Sequence, residues 1–524
     1  MKHKYYFLFL LVFIGFNSCK KLLDTKPTDF LSPTGYYTTE TQLQSAKAGV
    51  YDPLYNIFGT NNLYRDGVEC DEGYYRNSSL IGLDLYTFDA SEPRVLTWWQ
   101  SGWIGITRAN VLLANLDNNP SISQAVRDQI RGETLFLRGF YYFELVRAFG
   151  GVPIILKPTL SADETDAPRA SVKDVYDQIL KDMTDAEKLV ADITTLGFGG
   201  EVSKSAVRGI LARVCLSMAG NPLNDVSKYA DADSWAKMVI DEGIHSLNPD
   251  YSKVFINYAQ DLYDIKESIW EVEFWGNRFG VYTETGQVGG VDGPASANAL
   301  TGVAIGGLFA TAKLFKLYDS GDLRRDWCIA NFTYNSTGPN GSKTFITDTT
   351  RASLYVRAGG KFRREYELVT PKSAQWTPQN FPLLRYSDVL LMYAEAENEI
   401  NNGPTTAAYN AINLVRERAF GKLLPGATNL NQYDLAGLDH DSFFRQIVDE
   451  RSRELCFESL RKYDLIRWGI FVTTMNAEGN QILSDVPGAY YAQRYLNVRP
   501  KDVVFPIPEL ELSTNSALVQ TDGW

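Results

Sequence analysis

The stretch that decides the fold class is LRGFYYFELVRAFGGVP, at residues 137–153. Apolar residues fall on nearly every side of a helix drawn through 131–149, so this helix is predicted to lie buried between neighbours. Gly139 lowers the helix propensity in its middle, which indicates a close crossing with another helix. Gly150 and Gly151, followed by Pro153, end the helix abruptly. The pattern predicts a mainly α-helical fold.

Outward from this helix, helical patterning recurs in pairs. Residues 104–116 precede it across a turn at Asn118-Asn119-Pro120, and the two segments are predicted to form an antiparallel hairpin. Further predicted helices are 172–189 with 203–218, 387–400 with 407–420, and 441–460, which opens a fourth pair. Repeated helix pairs with small residues at their crossings are similar to tetratricopeptide stacking, although no strict repeat of about 34 residues is present.

Residues 246–383 interrupt this pattern with Gly, Asn, Thr and aromatic residues. A structureless loop of that length is uncommon in a compact body. The insertion is therefore predicted to contain short helices or strands, and it is a candidate carrier of function because loops often bear binding residues.

The amino terminus predicts export. Lys2, His3 and Lys4 form a basic head, and an apolar run of 12 residues at 5–16 follows. The run is shorter than the roughly 20 residues that cross a bilayer, so it is predicted to be a cleaved leader. Ser18 before Cys19 makes a lipobox, and the mature protein is predicted to begin at Cys19 and to be held at a membrane by acyl chains. An ordinary signal peptide with a coincidental cysteine is the alternative.

Composition excludes several classes of function. The formal net charge is −12, which disfavours nucleic acid as a partner. Once the leader is removed, the only histidines are His245 and His440, too few for a histidine-dependent triad or a multi-histidine metal site. The remaining cysteines are widely spaced and include no C-x-x-C pair, which favours neither a disulfide framework nor a zinc site. No metal and no cofactor are predicted.

Four further stretches accompany residues 137–153 in a fixed order. They are RASVKDVY at 169–176, RYSDVLLMYAEA at 385–396, the run from DER at 449–451 through EL at 454–455 to DLIRWG at 464–469, and FPIPEL at 505–510 with the terminal Gly523-Trp524. In this order behind a lipobox, the five stretches resemble the SusD/RagB family, the lipid-anchored outer-membrane subunits of nutrient importers in Gram-negative bacteria. The resemblance spans nearly the whole mature chain.

The resemblance implies tetratricopeptide-like helix pairs as a scaffold, with an irregular ligand-binding face opposite. It implies a SusC-like TonB-dependent barrel as partner, over which the protein would sit as a lid. The expected organisation is a leader at 1–18, an N-terminal half at 19–245, a loop-rich insertion at 246–383 and a C-terminal half at 384–524, in one continuous body. The lipobox is loose and no acidic run follows Cys19, so the expected surface exposure rests on the family.

The recognisable charged motifs are predicted to be structural. In the helix from Asp441 the core stripe includes Arg451 and Glu458. Because an unpaired buried charge costs about 3–5 kcal/mol, both are predicted to find buried partners, with Glu454 and Asp464 as candidates. A catalytic carboxylate cluster is the rival interpretation, but a glycosidase needs two carboxylates that face each other across a cleft. With no nucleophile elbow, phosphate loop or HExxH motif, no catalytic residue is predicted.

Aromatic residues outside helical stripes are better candidates, because the apolar face of a sugar ring stacks on a flat side chain. Tyr74, Tyr75 and Arg76 lie in a polar stretch, and Trp98-Trp99 precede a helix predicted to start near Trp103. The family resemblance implies that a tryptophan in this position, matched by Trp99, contributes to a glycan platform. Neighbouring side chains of an extended segment point opposite ways, so at most one of the two is predicted to face ligand. Packing of both beneath the loop is the alternative.

The insertion holds further aromatic candidates for ligand binding, namely Trp275, Tyr282, Trp327 and Trp376. Trp270 and Phe274 alternate with acidic residues as in a half-buried strand, which would turn Trp275 toward solvent. For each of these four candidates, core or interface packing is the alternative.

These features together predict a surface glycan-binding lipoprotein that captures an oligosaccharide and delivers it to a TonB-dependent transporter without chemistry. The main alternative keeps this location but has peptide or glycopeptide as cargo. A secreted helical glycosidase is the more distant alternative.

Overall fold

A computed structural model describes residues 36–60, 70–76, 81–159, 166–281, 284–427 and 433–524. The predicted leader, the lipidation site Cys19 and the candidate Tyr282 lie outside these residues, and their roles remain predictions. Within the described ranges, no helix has both the length and the apolar composition needed to cross a bilayer.

The fold is mainly α-helical, as predicted. The helices of the first half are α1 (Glu40–Tyr51), α2 (Pro53–Tyr55), α3 (Pro93–Asn115), α4 (Gln124–Phe149), α5 (Val172–Glu187), α6 (Ile193–Leu196), α7 (Lys204–Ala219), α8 (Lys228–Asp241) and α9 (Tyr251–Gln260). Those of the second half are α10 (Val288–Val291), α11 (Ala312–Leu317), α12 (Arg325–Cys328), α13 (Arg351–Leu354), α14 (Tyr386–Ile400), α15 (Thr406–Ala419), α16 (His440–Leu455), α17 (Arg461–Arg467), α18 (Phe471–Asp485), α19 (Ala492–Leu496) and α20 (Glu509–Thr514).

Short strands supplement the helices. They are β1 (Gly73–Tyr75), β2 (Ser268–Val272), β3 (Leu308–Ala310), β4 (Phe332–Tyr334), β5 (Lys343–Phe345) and β6 (Phe381–Arg385). They form two-stranded antiparallel ladders, β1 with β3, β2 with β6 and β4 with β5. Most of these strands lie in residues 246–383, where the sequence predicts short elements.

The helix from the deciding stretch, α4, lies at the centre of the N-terminal half. It packs against α3 on one side and α5 on the other, and nearly all of its C-terminal half is buried. A Cβ added to Gly139 would lie 3.1 Å from Met183 Cγ, so the glycine permits the close crossing with α5. Gly150 ends the helix with a φ of 74°, a conformation that favours glycine.

The packing continues from pair to pair, in a tetratricopeptide-like arrangement. Helix α5 contacts α7, α7 packs on α8, α8 packs on α14, and α14 contacts both α15 and α16. The sequence patterning missed α8, which joins the N-terminal and C-terminal pairs. The stacked helices form the scaffold that supports the loop-rich insertion.

The predicted start of α3 was wrong. The helix begins at Pro93, where proline is favoured in the first turn, and the Glu92 carboxylate accepts a hydrogen bond from the Arg94 N–H at 3.4 Å. Trp98 and Trp99 therefore lie inside the helix and not in an extended segment before it.

The expectation of a half-buried strand around Trp270 was also wrong, because β2 is buried on both faces. The Trp270 ring packs between Phe136 and Phe140 of α4, at centroid distances of 4.9 and 4.7 Å. The Glu271 carboxylate is buried as well, and it accepts a hydrogen bond from Asn380 Nδ2 at 2.9 Å. Strand β2 thus fastens the insertion to the helical scaffold.

The charged residues near the end of α16 are structural, as predicted. Arg451 pairs with Asp464 at 2.8 Å, one of the two candidate partners, and with Asp388 at 2.7 Å. Glu458 lies beyond the end of α16, and its partners are Arg385 at 2.8 Å and Lys361 at 2.7 Å. Buried ion pairs therefore tie the C-terminal helices to the insertion.

Candidate ligand-binding face

Trp98 and Trp99 belong to the core. Their side chains are 1% and 2% exposed, because α3 packs against α4 and the C-terminal segment. The Trp99 ring meets Phe149 edge-on at 5.0 Å, and the Trp98 ring lies 5.9 Å from Phe505. Neither indole offers a face to a ligand here, which corrects the interpretation of Trp99 as a stacking platform and matches the alternative of packing.

The three candidate residues at 74–76 differ in their burial. Tyr74 is buried, stacks on Tyr491 at 4.2 Å and donates a hydrogen bond to the Tyr355 carbonyl oxygen. Tyr75 is half-buried beside Gly307, where an added Cβ would lie 3.0 Å from its ring, and Arg76 is exposed. Tyr74 therefore supports the surface, whereas Tyr75 and Arg76 belong to it.

Tyr490 adds a residue that the sequence analysis missed. Its side chain is 37% exposed and meets Tyr491 edge-on at 5.3 Å. Burial raises the pKa of Tyr490, and the nearby positive charge of Arg76 opposes the shift. Tyr75, Arg76 and Tyr490 are named the tyrosine group below. The sequence did contain a pattern that could have identified Tyr490 as a candidate. Tyr490 follows Pro487-Gly488 in a turn-rich stretch, and it begins a Tyr-Tyr doublet like that at 74–75.

A second set of residues, named the tryptophan group, consists of Trp376, Arg278, which lies over its ring, and Trp275 and Phe279, which belong to the same loop as Arg278. The Arg278 guanidinium carbon lies 3.8 Å from the Trp376 ring centroid, a cation–π distance. Both tryptophans are half-buried, and Phe279 is 68% exposed. The Asn277 side chain orders this loop, since its Oδ1 accepts from the Phe279 N–H at 2.9 Å and its Nδ2 donates to the Pro371 carbonyl at 2.8 Å.

One segment of backbone, residues 286–291, joins the two groups. Gly286 pairs with Thr377, the neighbour of Trp376. At the other end, the Gly290 and Val291 carbonyls accept hydrogen bonds from the N–H groups of Ile305 at 2.7 Å and Gly307 at 2.9 Å. Because Gly307 lies against Tyr75, this segment of the insertion connects the two groups in one irregular layer.

Trp327 lies in neither group. Its ring is buried, and the Arg363 guanidinium carbon lies 3.9 Å from the ring centroid. The structure thus assigns Trp327 to packing and keeps Tyr75, Arg76, Trp275 and Trp376 as surface candidates.

The chemistry of this face is that of binding. Exposed rings and guanidinium groups can stack on apolar surfaces, and guanidinium and tyrosine O–H groups can donate hydrogen bonds. In the part of the chain that the structure describes, no three His, Cys, Asp or Glu side chains are grouped as a metal site would require.

Comparison with known proteins identifies the fold. The SusD family model matches residues 266–524, and a second model, described as "Starch-binding associating with outer membrane", matches residues 21–216. The chain belongs to the SusD family. This result confirms the family predicted from the five stretches.

Relatives of this SusD-family protein align along almost their whole length. A SusD-like protein of Formosa agariphila is 26% identical over 98% of this chain and 97% of its own. The crystal structure of a SusD homolog from Bacteroides thetaiotaomicron has a TM-score of 0.83 at 26% identity, covering 94% of this chain and 98% of that one. Surface glycan-binding protein A from Bacteroides fluxus has a TM-score of 0.70 at 21% identity, covering 93% and 100%. The family consists of binding proteins and not enzymes, as predicted for this chain.

Proposed function

We propose that this SusD-family protein binds an oligosaccharide at the layer that carries the tyrosine group and the tryptophan group. The observation that carries the proposal is the pair of partly exposed aromatic groups, each with an arginine, joined by residues 286–291. Aromatic faces stack on the C–H faces of sugar rings, and guanidinium groups donate hydrogen bonds to hydroxyls. The names of the starch-binding family model and of the glycan-binding structural relative support this ligand class.

The proposed role includes delivery of the ligand to a SusC-like TonB-dependent transporter from a lipid-anchored position on the outer-membrane surface. The lipobox at Cys19 and the description of the second family model, which names association with the outer membrane, support this location.

The binding proposal predicts a loss of affinity without a loss of fold when Trp376 is replaced by alanine. Removal of one stacking ring should cost about 1 kcal/mol or more, equivalent to roughly fivefold weaker binding. Calorimetric titration with a glycan panel measures the affinity, and thermal melting checks the fold.

Tyr263 provides a matched control, since its ring is exposed but belongs to neither aromatic group. Tyr263→Ala should bind glycans as the wild type does. If Trp376→Ala and Tyr263→Ala bind glycans with equal affinity, the tryptophan group is not part of the binding site. Binding of peptides alone from a mixed panel would favour the peptide cargo instead.

The anchoring proposal predicts that Cys19→Ala is not lipidated and is lost from outer-membrane fractions, because acylation requires the thiol. Metabolic labelling with a clickable fatty acid measures the modification. Cys215→Ala serves as control, since that thiol is buried between helices and should leave the label unchanged. A label that persists on Cys19→Ala would contradict the lipoprotein assignment.

A further inference from the structure

A groove lies beside the tyrosine group, between α11 and α18. Its volume is about 730 Å³, and its lining includes Lys313, Lys316, Tyr355, Thr474, Glu478 and Gln481. Tyr355 lies between the groove and the tyrosine group, since its ring is 5.8 Å from Tyr491 and Tyr491 meets Tyr490 edge-on at 5.3 Å. The groove and Tyr490 are therefore neighbours.

The floor of the groove contains a buried acid with an unused oxygen. Glu478 is only 4% exposed, and its Oε1 receives no hydrogen bond from any residue that the structure describes. A buried polar atom without a partner costs free energy, about 1–3 kcal/mol in typical proteins. Oε1 is shielded from solvent, so a ligand in the groove meets Glu478 through the part of the side chain that lines the floor.

Burial raises the pKa of Glu478 to about 8. The charged and titratable groups that face it are Lys313, Lys316, Asp71, Asp485, Tyr355 and Tyr495. The lysines lower its pKa, and the aspartates oppose them. At pH 7 the carboxyl is therefore mainly neutral, and it can both donate and accept a hydrogen bond.

Two lysines line the groove. Lys313 lies 2.5 Å from Asp71, and Lys316 lies 3.6 Å from Asp485. Each aspartate is also paired with an arginine, Arg461 with Asp71 at 2.9 Å and Arg351 with Asp485 at 3.3 Å. Lys313 and Lys316 line the groove, whereas Arg461 lies behind it and also faces Asp449 and Glu72. Arg351 is 71% exposed and adds a positive charge near Lys316. The Lys316 side chain is 51% exposed and remains accessible.

We infer that this groove is a subsite for an acidic saccharide, a sugar unit bearing a carboxylate or a sulfate, next to the tyrosine group. The inference rests on the proposed glycan-binding function and names the class of glycan. The anionic group pairs with Lys316 and Lys313, and the sugar hydroxyls bond with Glu478, Thr474 and Gln481. A cationic ligand would meet the two lysines, and a neutral sugar would leave their charge unused.

The first test compares ligands that differ in charge alone. Calorimetric titration uses oligogalacturonate and its methyl ester, then oligoalginate and a sulfated galactan oligosaccharide, each against a neutral counterpart. We expect at least one acidic ligand to bind about tenfold more tightly than its neutral counterpart, with the advantage falling as salt is added. If no acidic ligand in the panel binds better than its counterpart, the inference is wrong.

The second test locates the effect. Lys316→Gln should weaken binding of the preferred acidic ligand about fivefold and leave the neutral one unchanged. Lys181→Gln is the matched control, since Lys181 is exposed on α5 of the scaffold and makes an ion pair with Asp185, as Lys316 does with Asp485. Equal affinities of Lys316→Gln and Lys181→Gln would place the acidic ligand elsewhere and overturn the inference.

The third test uses pH. Ionisation of Glu478 above its pKa adds a negative charge to the groove, so the wild type should bind the acidic ligand several-fold more weakly at pH 9 than at pH 7. Glu478→Gln keeps a neutral side chain at both pH values and should therefore lose the weakening between pH 7 and pH 9. The same pH dependence in both proteins would exclude Glu478 from the subsite.

These outcomes separate the inference from the proposed function. If neutral and acidic oligosaccharides bind equally well, and Trp376→Ala weakens both, the glycan-binding function stands and the acidic subsite is wrong. If no oligosaccharide of either kind binds, both are wrong.

Discussion

Replacement of Glu454 by alanine is expected to lower the free energy of unfolding by about 3–5 kcal/mol, because it leaves buried arginines without their shared carboxylate. Glu454 is fully buried at the end of α16, and three guanidinium groups meet it. They belong to Arg418 at 2.6 Å, Arg385 at 2.9 Å and Arg324 at 3.0 Å.

The charge state of Glu454 explains the size of this effect. Burial alone would raise the pKa of the carboxyl, but Arg418, Arg385 and Arg324 together lower it to about 2. The side chain is therefore ionised at neutral pH, and its removal takes a full negative charge from the cluster. The arginines keep other carboxylate partners, Asp322 and Glu450 for Arg324, Glu267 and Glu458 for Arg385, and Glu267 for Arg418. The cluster as a whole nevertheless loses one negative charge, and uncompensated positive charge is costly in a low-dielectric interior.

Urea unfolding measured by circular dichroism tests this prediction. Glu454→Ala should unfold at clearly lower urea than the wild type with a similar slope. The control is Glu509→Ala, since Glu509 is exposed in the first turn of α20. If the two variants unfold at the same urea concentration, the cluster does not stabilise the fold as its geometry indicates.

The helical scaffold could be predicted from the sequence because helix formation depends on local periodicity. The predicted segments 172–189, 203–218, 387–400 and 407–420 agree with α5, α7, α14 and α15 to within a few residues. The start of α3 was missed although Glu92-Pro93 is a local helix-start signal, because the apolar pattern was followed only from residue 104.

Contacts between distant residues were harder to predict. Asp464, one of the two candidate partners, does pair with Arg451, and it lies only 13 positions away on the next helix. The partners of Glu458, Arg385 and Lys361, lie 73 and 97 positions away and come from the insertion and its final strand. No pattern in the sequence brings these segments together before the fold is known.

The same limit applies to the candidate site. Trp98, Trp327 and Trp376 are chemically identical in the sequence, yet only Trp376 remains at the surface. Exposure of an aromatic ring depends on which elements pack over it. The sequence could therefore nominate Tyr75, Arg76, Trp275 and Trp376 but could not separate them from the buried candidates.

Trp99→Ala is expected to lower the free energy of unfolding by about 3–5 kcal/mol, because it removes a large buried side chain and leaves a cavity. The Trp99 ring packs against Phe149 at 5.0 Å and Trp103 at 5.7 Å, where α3 crosses the end of α4. Under conditions in which the variant is still folded, its affinity for glycans should equal that of the wild type.

Trp99→Ala and Trp376→Ala are expected to have opposite effects on stability and on affinity. Trp376→Ala should lose affinity and keep its melting temperature, whereas Trp99→Ala should lose melting temperature and keep its affinity. Thermal melting and calorimetry on both variants measure the two quantities independently. If Trp99→Ala melts like the wild type and binds several-fold more weakly, the Trp99 ring must leave the core to meet the ligand, and the binding face would then include the start of α3.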